Sequence, residues 1–199
     1  MARWGEIKDP VHGYIELNDC EIAVIDTPQF QRLRRLRQLS GAYLTYPGAE
    51  HTRFHHSLGV MHIAGMIAQH FLDMGLINSE EAQEIRSAAL MHDLGHGPFS
   101  HLFEEVLDKR ELNHEILTSR IIKETQVADE LSAYGLNPDE MSSLSVGKSK
   151  TSKQFMNQII AGQFSADVLD YLVRDSYFTG VEYGRVDIHR LMRSMDVLN

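Results

Sequence analysis

The sequence predicts an all-helical protein with a short strand or hairpin segment near the N-terminus. Three observations support this fold class. Apolar residues recur at steps of three and four over several long segments, which is the period of a helix with one buried face. Cap residues and glycines divide these segments into lengths typical of helices. Only one stretch, GYIEL at residues 13–17, alternates as a strand does.

Composition places the chain among globular proteins. It has 199 residues, 43% of them hydrophobic and 24% charged, which is enough for a sizeable core. We therefore expect a single domain over residues 1–199, with an N-terminal lead over residues 1–50. The single cysteine, Cys20, excludes an internal disulfide. No apolar run reaches the roughly 18 residues that cross a bilayer, and the N-terminus is unlike a secretory signal. We expect a cytoplasmic protein without a membrane anchor.

The net charge limits the partners. A formal value of −9 argues against a broad nucleic-acid surface, because binding a polyanion needs lysine and arginine to neutralise its phosphates. A small anionic substrate is compatible with this value, since local charge can oppose the total. The stretch FQRLRRLR at residues 30–37 carries four arginines on what we expect to be one short helix. On general grounds these arginines form a solvated helix face.

The first helices follow from caps and apolar stripes. Thr27 and Pro28 predict the start of a helix that ends near Leu39, before a Ser-Gly pair. From about residue 52 to residue 74, an apolar stripe predicts a long helix, and His56 lies on that stripe. A stripe in the next helix, which we expect to be capped by Ser79, also ends on a histidine. Two buried faces therefore each carry one imidazole.

The remaining elements are shorter. Pro98 predicts the start of a helix that runs to about Leu107, and Asn113 predicts the start of another that reaches Glu124. Residues 142–152 are small, polar and weakly basic, so we expect a mobile loop there. Further helices are predicted over residues 153–161, 166–178 and 187–198.

Metal-ligand side chains are concentrated in three separated segments. These are RFHHS at residues 53–57, HDLGHGPFSH at residues 92–101 and SADVLDY at residues 165–171. A lone histidine is more often structural than a ligand, but an adjacent His-Asp pair at the end of an apolar helix would leave a buried carboxylate unpaired without a cation. Imidazole and carboxylate together can hold one divalent metal, namely Mn, Fe, Co, Ni, Zn or Mg.

The same segments carry a family resemblance. The motifs DPVHG at residues 9–13, DTPQFQRL at 26–33, RFHHSLGV at 53–60 and HDLGHGPFSH at 92–101 resemble, in order, the HD-domain deoxynucleoside triphosphate triphosphohydrolases. DYLVRD at residues 170–175 continues the match. An HD dipeptide alone is weak, whereas this combination is highly specific. The resemblance implies an HD-domain helical bundle.

The resemblance also implies roles for individual residues. The implied metal ligands are His56, His92, Asp93 and Asp167. Among the implied catalytic residues, His96 and His101 face the phosphates, and His114 protonates the leaving oxygen. The implied substrate contacts are Gln38, Leu39, Arg53, Tyr171 and Asp175, with Gln38 and Leu39 on the sugar side, where they would favour a deoxynucleotide.

Helical spacing adds two expectations. Glu104 follows His101 by three residues, so it can orient that imidazole, although an ordinary helix ion pair explains the spacing equally well. Asp167, Tyr171 and Arg174 share one helix face, and in this motif context we expect a polar strip that faces a cleft rather than solvent.

The expected reaction is hydrolysis of a dNTP to deoxynucleoside and triphosphate. The alternatives are an HD phosphohydrolase that acts on a nucleoside monophosphate or a cyclic or signalling nucleotide, and a nucleotide-binding regulatory module with little turnover. The chain departs from the family motif at His55 and at Val168. Val168, the missing C-terminal part and the mobile loop motivate the regulatory module. Homo-oligomerisation stays open.

The resemblance carries two further expectations. The family enzymes continue beyond Asn199, so we expect a C-terminal part of the pocket to be missing and turnover by this chain alone to be poor. Asp26, Arg32 and Arg34 match a nucleotide-activator site of some members, but other positions of that site differ, so nucleotide activation is unsupported.

Overall fold

A computed structural model of the chain describes residues 5–99 and 101–197, with the side chain of residue 101 excepted. It confirms the all-helical fold with an N-terminal hairpin. Strands β1, Gly5–Asp9, and β2, Gly13–Leu17, pair antiparallel with Ile7 opposite Ile15. Gly13, the first residue of β2, has a φ of 80°, a left-handed conformation that favours glycine. The alternating stretch predicted β2, whereas β1 was not predicted.

Eleven helices follow in the described part of the chain. They are α1 Asp19–Asp26, α2 Pro28–Gln31, α3 Arg53–Asp73, α4 Ser79–Met91, α5 His101–Asp108, α6 His114–Glu124, α7 Gln126–Ala133, α8 Pro138–Ser145, α9 Gln154–Ala161, α10 Ala166–Thr179 and α11 Ile188–Arg193. Short 3-10 turns cover Arg32–Arg35 and Ala42–Leu44. No helix in the described ranges is both long and apolar enough to cross a membrane.

Helix α3 is the centre of the molecule, and α4 and α10 pack along it. Its buried stripe includes Leu58, Ile63 and Ile67, each at most 1% exposed. This helix matches the predicted one. Helix α4 begins at Ser79 with Asn78 as its cap, one residue before the predicted cap, because Asn78 and Glu81 form a reciprocal capping box. As a result of this packing, the start of α3, the end of α4 and the start of α10 lie close together.

The prediction of one helix from Pro28 to Leu39 is wrong. Helix α2 ends at Gln31, a 3-10 turn follows, and the chain then becomes extended so that the Leu36 carbonyl accepts from Arg53 N at 2.8 Å. Arg32 is half-buried, and its Nη1 donates to the His96 carbonyl at 2.7 Å. The expectation of a solvated face therefore fails at Arg32, because tertiary hydrogen bonds override the local helical preference.

Two further predictions need correction. Pro98 does not start a helix: α5 begins at His101, and Phe99 has a φ of 63°, which no α-helix contains. Within the segment predicted to be a mobile loop, residues 142–145 belong to α8. Beyond them Ser149 is 5% exposed and exchanges two hydrogen bonds of 2.9 Å with Asn157. Hydrogen bonds to α9 thus compensate for the small, polar composition.

The last helix is shorter than predicted. Helix α11 ends at Arg193, where Ser194 N–H bonds to the Leu191 carbonyl, and residues 198 and 199 lie outside the described part. Helix α1 was not predicted, although Asn18 and Glu21 form a complete capping box at its start. The sequence signal for α1 was therefore present.

Candidate functional site

The four side chains that resemblance marks as metal ligands converge at one point. His56 lies in the first turns of α3, His92 caps the C-terminus of α4, Asp93 follows it, and Asp167 lies in the first turn of α10. One ligand atom each from His56, His92 and Asp93 lies within 4.8 Å of the other two. Asp167 Oδ1 is 3.0 Å from His56 Nε2 and 3.9 Å from His92 Nε2. This spacing is compatible with one shared cation.

Both imidazoles are oriented by their other ring nitrogen. His92 Nδ1 is 2.8 Å from the Ala89 carbonyl, which can only accept, so Nδ1 carries the proton and Nε2 presents a lone pair. His92 Nε2 is buried and makes no hydrogen bond to any residue in the described ranges. His56 Nδ1 is 2.8 Å from the Asp170 carboxylate, which fixes that ring in the same way. The donor set therefore fits a divalent metal.

The buried carboxylates of the cluster also favour a bound cation. Burial alone would lower the pKa of His56, but the carboxylates of Asp167 and Asp170 raise it to about 10. Burial acts to raise the pKa of Asp93, yet His92, Arg53 and His96 hold it well below its usual range. Three buried or half-buried carboxylates thus surround His56, and positive charge at this point stabilises them.

The loop that carries the His-Asp pair is held from two sides. On one side Arg32 donates to the carbonyls of Leu94 and His96. On the other, Thr118 Oγ1 accepts from Gly95 N at 2.8 Å and lies 3.2 Å from the His92 carbonyl. A Cβ at Gly95 would lie 1.9 Å from the His114 carbonyl oxygen, so glycine permits this close approach. The contact places the start of α6 beside the loop.

Three residues form a second cluster next to the ligands. The rings of His96 and His114 stack with centroids 4.1 Å apart and an angle of 14°. His96 Nε2 is 3.3 Å from Asp93 Oδ1, and burial lowers the pKa of His96 despite that carboxylate. Glu104 hydrogen-bonds His114 Nδ1. Glu104 was expected to orient His101, whose side chain lies outside the described part; the partner that the structure shows is His114.

The four converging side chains and the stacked His96 and His114 line one cavity of about 280 Å³. Its lining residues are Gln38, Arg53, His56, His92, Asp93, His96, His114, Glu115, Ser145, Val146, Ile160, Ala161, Asp167 and Tyr171. Arg53 forms an ion pair with Asp93. Buried Gln38 Oε1 and Ser145 Oγ make no hydrogen bond to any described residue, so a ligand could satisfy them.

Not every residue expected at the site reaches this cavity. Leu39 is half-buried, and neither Leu39 nor Asp175 is among the described residues that line the cavity. Asp175 is 6% exposed and lies 2.8 Å from His51 Nε2, whose ring stacks on Phe178. Arg174 was expected to face the cleft together with Asp167 and Tyr171, and this part of the expectation is wrong. Its side chain is fully buried, where it forms ion pairs with Asp170 and Asp9.

Sequence reasoning missed several residues around the site. Asp170 contacts His56 directly, and His12 Nε2 lies 2.6 Å from Asp170 Oδ1. The spacing of four between Asp170 and Arg174 was an available signal for their ion pair. Nothing local could indicate that Ser145, in the segment expected to be mobile, lines the cavity.

Comparison with known proteins agrees with the motif resemblance. The HD domain family matches residues 53–174. The "Uncharacterized protein YwfO" of Bacillus subtilis is 44% identical over 94% of this chain and 43% of its own length. "Deoxynucleoside triphosphate triphosphohydrolase SAMHD1" of Homo sapiens is 33% identical over 88% of this chain and 33% of its own length.

A solved structure supports the fold. The crystal structure of a hypothetical protein from Aquifex aeolicus has a TM-score of 0.85 and 40% identity, and the match covers 96% of this chain and 51% of that one. The chain thus spans less than half the length of these two curated relatives. The match over residues 53–174 includes the four converging side chains and the stacked histidines, and on this ground the chain belongs to the HD domain family.

Proposed function

We propose that this chain is a metal-dependent phosphohydrolase and that its substrate is a dNTP, which it cleaves to a deoxynucleoside and triphosphate. The observation that carries the proposal is one cavity lined by both a metal-ligand set and the stacked His96 and His114. Membership of the HD domain family supports the hydrolase class. The likeness to proteins named deoxynucleoside triphosphate triphosphohydrolases supports the substrate.

The ligands and the histidines have separate tasks. A divalent metal held by His56, His92, Asp93 and Asp167 would supply Lewis-acid polarisation of a phosphoryl oxygen. His96 lies beside Asp93 in the cavity lining and would face the phosphates of the substrate.

His114 is the proposed general acid. Glu104 occupies its Nδ1, so Nε2 is the atom through which it would give a proton to the leaving oxygen. In the proposed step a water oxygen bonds to the α-phosphorus and the bond from that phosphorus to the nucleoside oxygen breaks. The proton on His114 moves to the leaving oxygen, and the attacking water loses one proton to solvent. Solvent then returns a proton to His114 before the next turnover.

Gln38 is the residue proposed to bind the sugar of the substrate. Its buried Oε1 makes no hydrogen bond to any described residue, so it can accept one from the 3′-hydroxyl of a deoxyribose. A site built to pair a hydroxyl discriminates strongly against an analogue that lacks it. We therefore expect a dideoxynucleotide to be a poor substrate.

A nucleoside monophosphate is the second candidate substrate. The cavity of about 280 Å³ lies at the lower edge of ligand pockets, which hold roughly 300 to 1,000 Å³. In addition, Val168 stands where the family motif often has a lysine, so one phosphate contact is missing. Both features favour a substrate with fewer phosphates on the same metal and histidines.

Product identification tests the proposal. The chain is loaded with Mn²⁺ and incubated with each dNTP and each dNMP, and the products are followed by phosphorus NMR. Triphosphate as the first phosphorus product is the expected result. Orthophosphate or pyrophosphate as the first product would contradict it, and cleavage of dNMP alone would establish the second candidate.

Two variants separate the metal site from its surroundings. Asp93→Ala should abolish Mn²⁺ binding in elemental analysis, since it removes a buried ligand. His55→Ala should retain it, because the His55 ring contacts Thr52 rather than the cluster. Equal metal content in both variants would show that the ligand set is wrong.

A further inference from the structure

A buried network connects the N-terminal hairpin to the proposed metal ligand His56. Asp170 stands at its centre: one carboxylate oxygen lies 2.8 Å from His56 Nδ1, and the other lies 2.6 Å from His12 Nε2. Arg174 donates to both Asp170 oxygens, at 2.8 and 3.0 Å. The same guanidinium donates to Asp9 at 2.8 and 3.3 Å. The chain of contacts therefore runs from the hairpin to the site.

Burial makes this network sensitive to every member. Asp170 and Arg174 are fully buried, Asp9 is 2% exposed, and the His12 side chain is 9% exposed. In such surroundings an unpaired charge is costly, so the loss of one partner leaves the others without compensation. Arg174 lies between the carboxylates of Asp170 and Asp9 and forms an ion pair of 2.8 Å with each.

The hairpin presents Asp9 and His12 to the network in a fixed geometry. Asp9 ends β1 and accepts from the backbone N–H of Val11 and of His12, both at 2.9 Å. These bonds fix the turn that carries His12. The hairpin lies outside residues 53–174, the part that matches the HD domain family, so it adds an outer support to that domain.

We propose that Asp170 is a positioning residue that keeps the His56 proton on Nδ1 and its Nε2 lone pair toward the metal, and that Asp9 and His12 of the hairpin hold Asp170 and Arg174 in place. The inference rests on the proposed metal site. A ligating histidine whose other nitrogen is bound by a carboxylate is a better ligand, and loss of such a partner typically weakens metal binding about 10- to 100-fold. In this arrangement Asp170, Arg174, Asp9 and His12 act through His56, and none of them needs to touch the metal.

The first measurement is Mn²⁺ affinity by isothermal titration calorimetry. Asp170→Asn should weaken binding about 10- to 100-fold. Asp9→Asn should weaken it by a smaller factor of about 3 to 10, because it acts through Arg174. His12→Gln is the second hairpin variant: it introduces no charge, and it keeps the test valid if Asp9→Asn does not fold.

Glu21→Gln is the matched control. Glu21 is also a fully buried carboxylate in an ion pair, with Arg86 at 2.6 Å, but it makes no contact with the network among the described residues. It should lose stability without losing Mn²⁺ affinity. This comparison separates a positioning effect from a general loss of stability.

A spectroscopic readout reports on the ring itself. In the Zn²⁺-loaded protein, long-range nitrogen–proton NMR should show His56 bound through Nε2, with a downfield Nδ1 proton that moves upfield in Asp170→Asn and Asp9→Asn. Unchanged affinity and an unchanged His56 signal in folded variants would overturn the inference alone. Failure of the unaltered chain to bind Mn²⁺ would overturn the proposed function, and the inference with it.

Discussion

The directions of the His56 and His92 rings are each set by the atom that Nδ1 contacts. Ala89 orients His92 through a backbone carbonyl within the same helix, whereas Asp170 orients His56 across two helices. A carbonyl at the end of α4 is a consequence of helix geometry, so His92 needs no distant partner. The support of His56 depends on residues far apart in the chain and is the more vulnerable of the two.

The pairing of Glu104 with His114 leads to a prediction for catalysis. His114→Gln should lower kcat by about 100-fold or more, since it removes the proposed general acid. Glu104→Gln should lower kcat by about 10-fold, because the amide still accepts from Nδ1 but no longer stabilises the imidazolium. Steady-state kinetics at equal Mn²⁺ occupancy provide the measurement, and the double variant should be no slower than His114→Gln. Full activity of His114→Gln would exclude this acid.

Individual site residues could be predicted only where a motif or a local spacing marks them. His56, His92, Asp93 and Asp167 come from motif resemblance, and the structure brings all four together. The support of His56 was not predicted, because Asp9 and Arg174 are 165 residues apart in the chain. Glu104 was marked by its helical spacing from His101, whose side chain lies outside the described part, whereas the contact of Glu104 with His114 on the next helix was not predicted.

At the scale of elements, the close contact between α3 and α10 depends on a glycine. A Cβ at Gly59 would lie 1.9 Å from Asp170 Oδ1 and 2.4 Å from Arg174 Nη2. Gly59→Ala should therefore destabilise the fold by about 3 kcal/mol, since neither buried group can move away. Urea unfolding measures this change in free energy.

Gly65→Ala is the control in the same helix. Its Cβ would meet Arg86 Nη1, the far end of a flexible side chain. The stability change should stay within about 1 kcal/mol, because alanine is also the better helix former. Equal losses at the two positions would show that the α3 and α10 packing is not the reason for Gly59.

Elements with strong local signals were predicted well, and those set by tertiary contacts were not. The apolar stripe and breakers of α3 gave its ends within a residue, and Asn113 marked the start of α6. The helix expected over residues 28–39 failed because Arg32 bonds to a distant loop and Leu36 pairs with Arg53. The ordered segment near Ser149 depends on Asn157, which no local pattern reveals.

At the scale of the whole molecule, stability should depend on pH through His62. Burial, together with the nearby charges of His12 and Arg86, lowers the pKa of this half-buried imidazole from 6.5 to about 4. Between these values the unfolded chain binds a proton that the folded chain does not. The contribution of neutral His62 is therefore fully present above pH 6.5 and is lost as the pH falls toward 4.

Unfolding free energies at pH 7 and pH 4.5 check this prediction. His62→Gln should reduce the loss on acidification by about 2 kcal/mol, because glutamine does not titrate. His189→Gln, at an exposed histidine of α11, is the control and should keep the original profile. An identical pH profile for His62→Gln and the unaltered chain would contradict the assignment.

The proposed metal ligands lie far apart in the chain and therefore emerge one after another during synthesis. His56 and its partner Asp170 are 114 residues apart, so a nascent chain that ends before α10 exposes two histidines and Asp93 without their remaining carboxylates. In the proposed site, Asp167 and the carboxylate that contacts His56 are supplied only once α10 has emerged and docked on α3. A cation that needs this complete set would bind the finished fold alone and shift the equilibrium toward it.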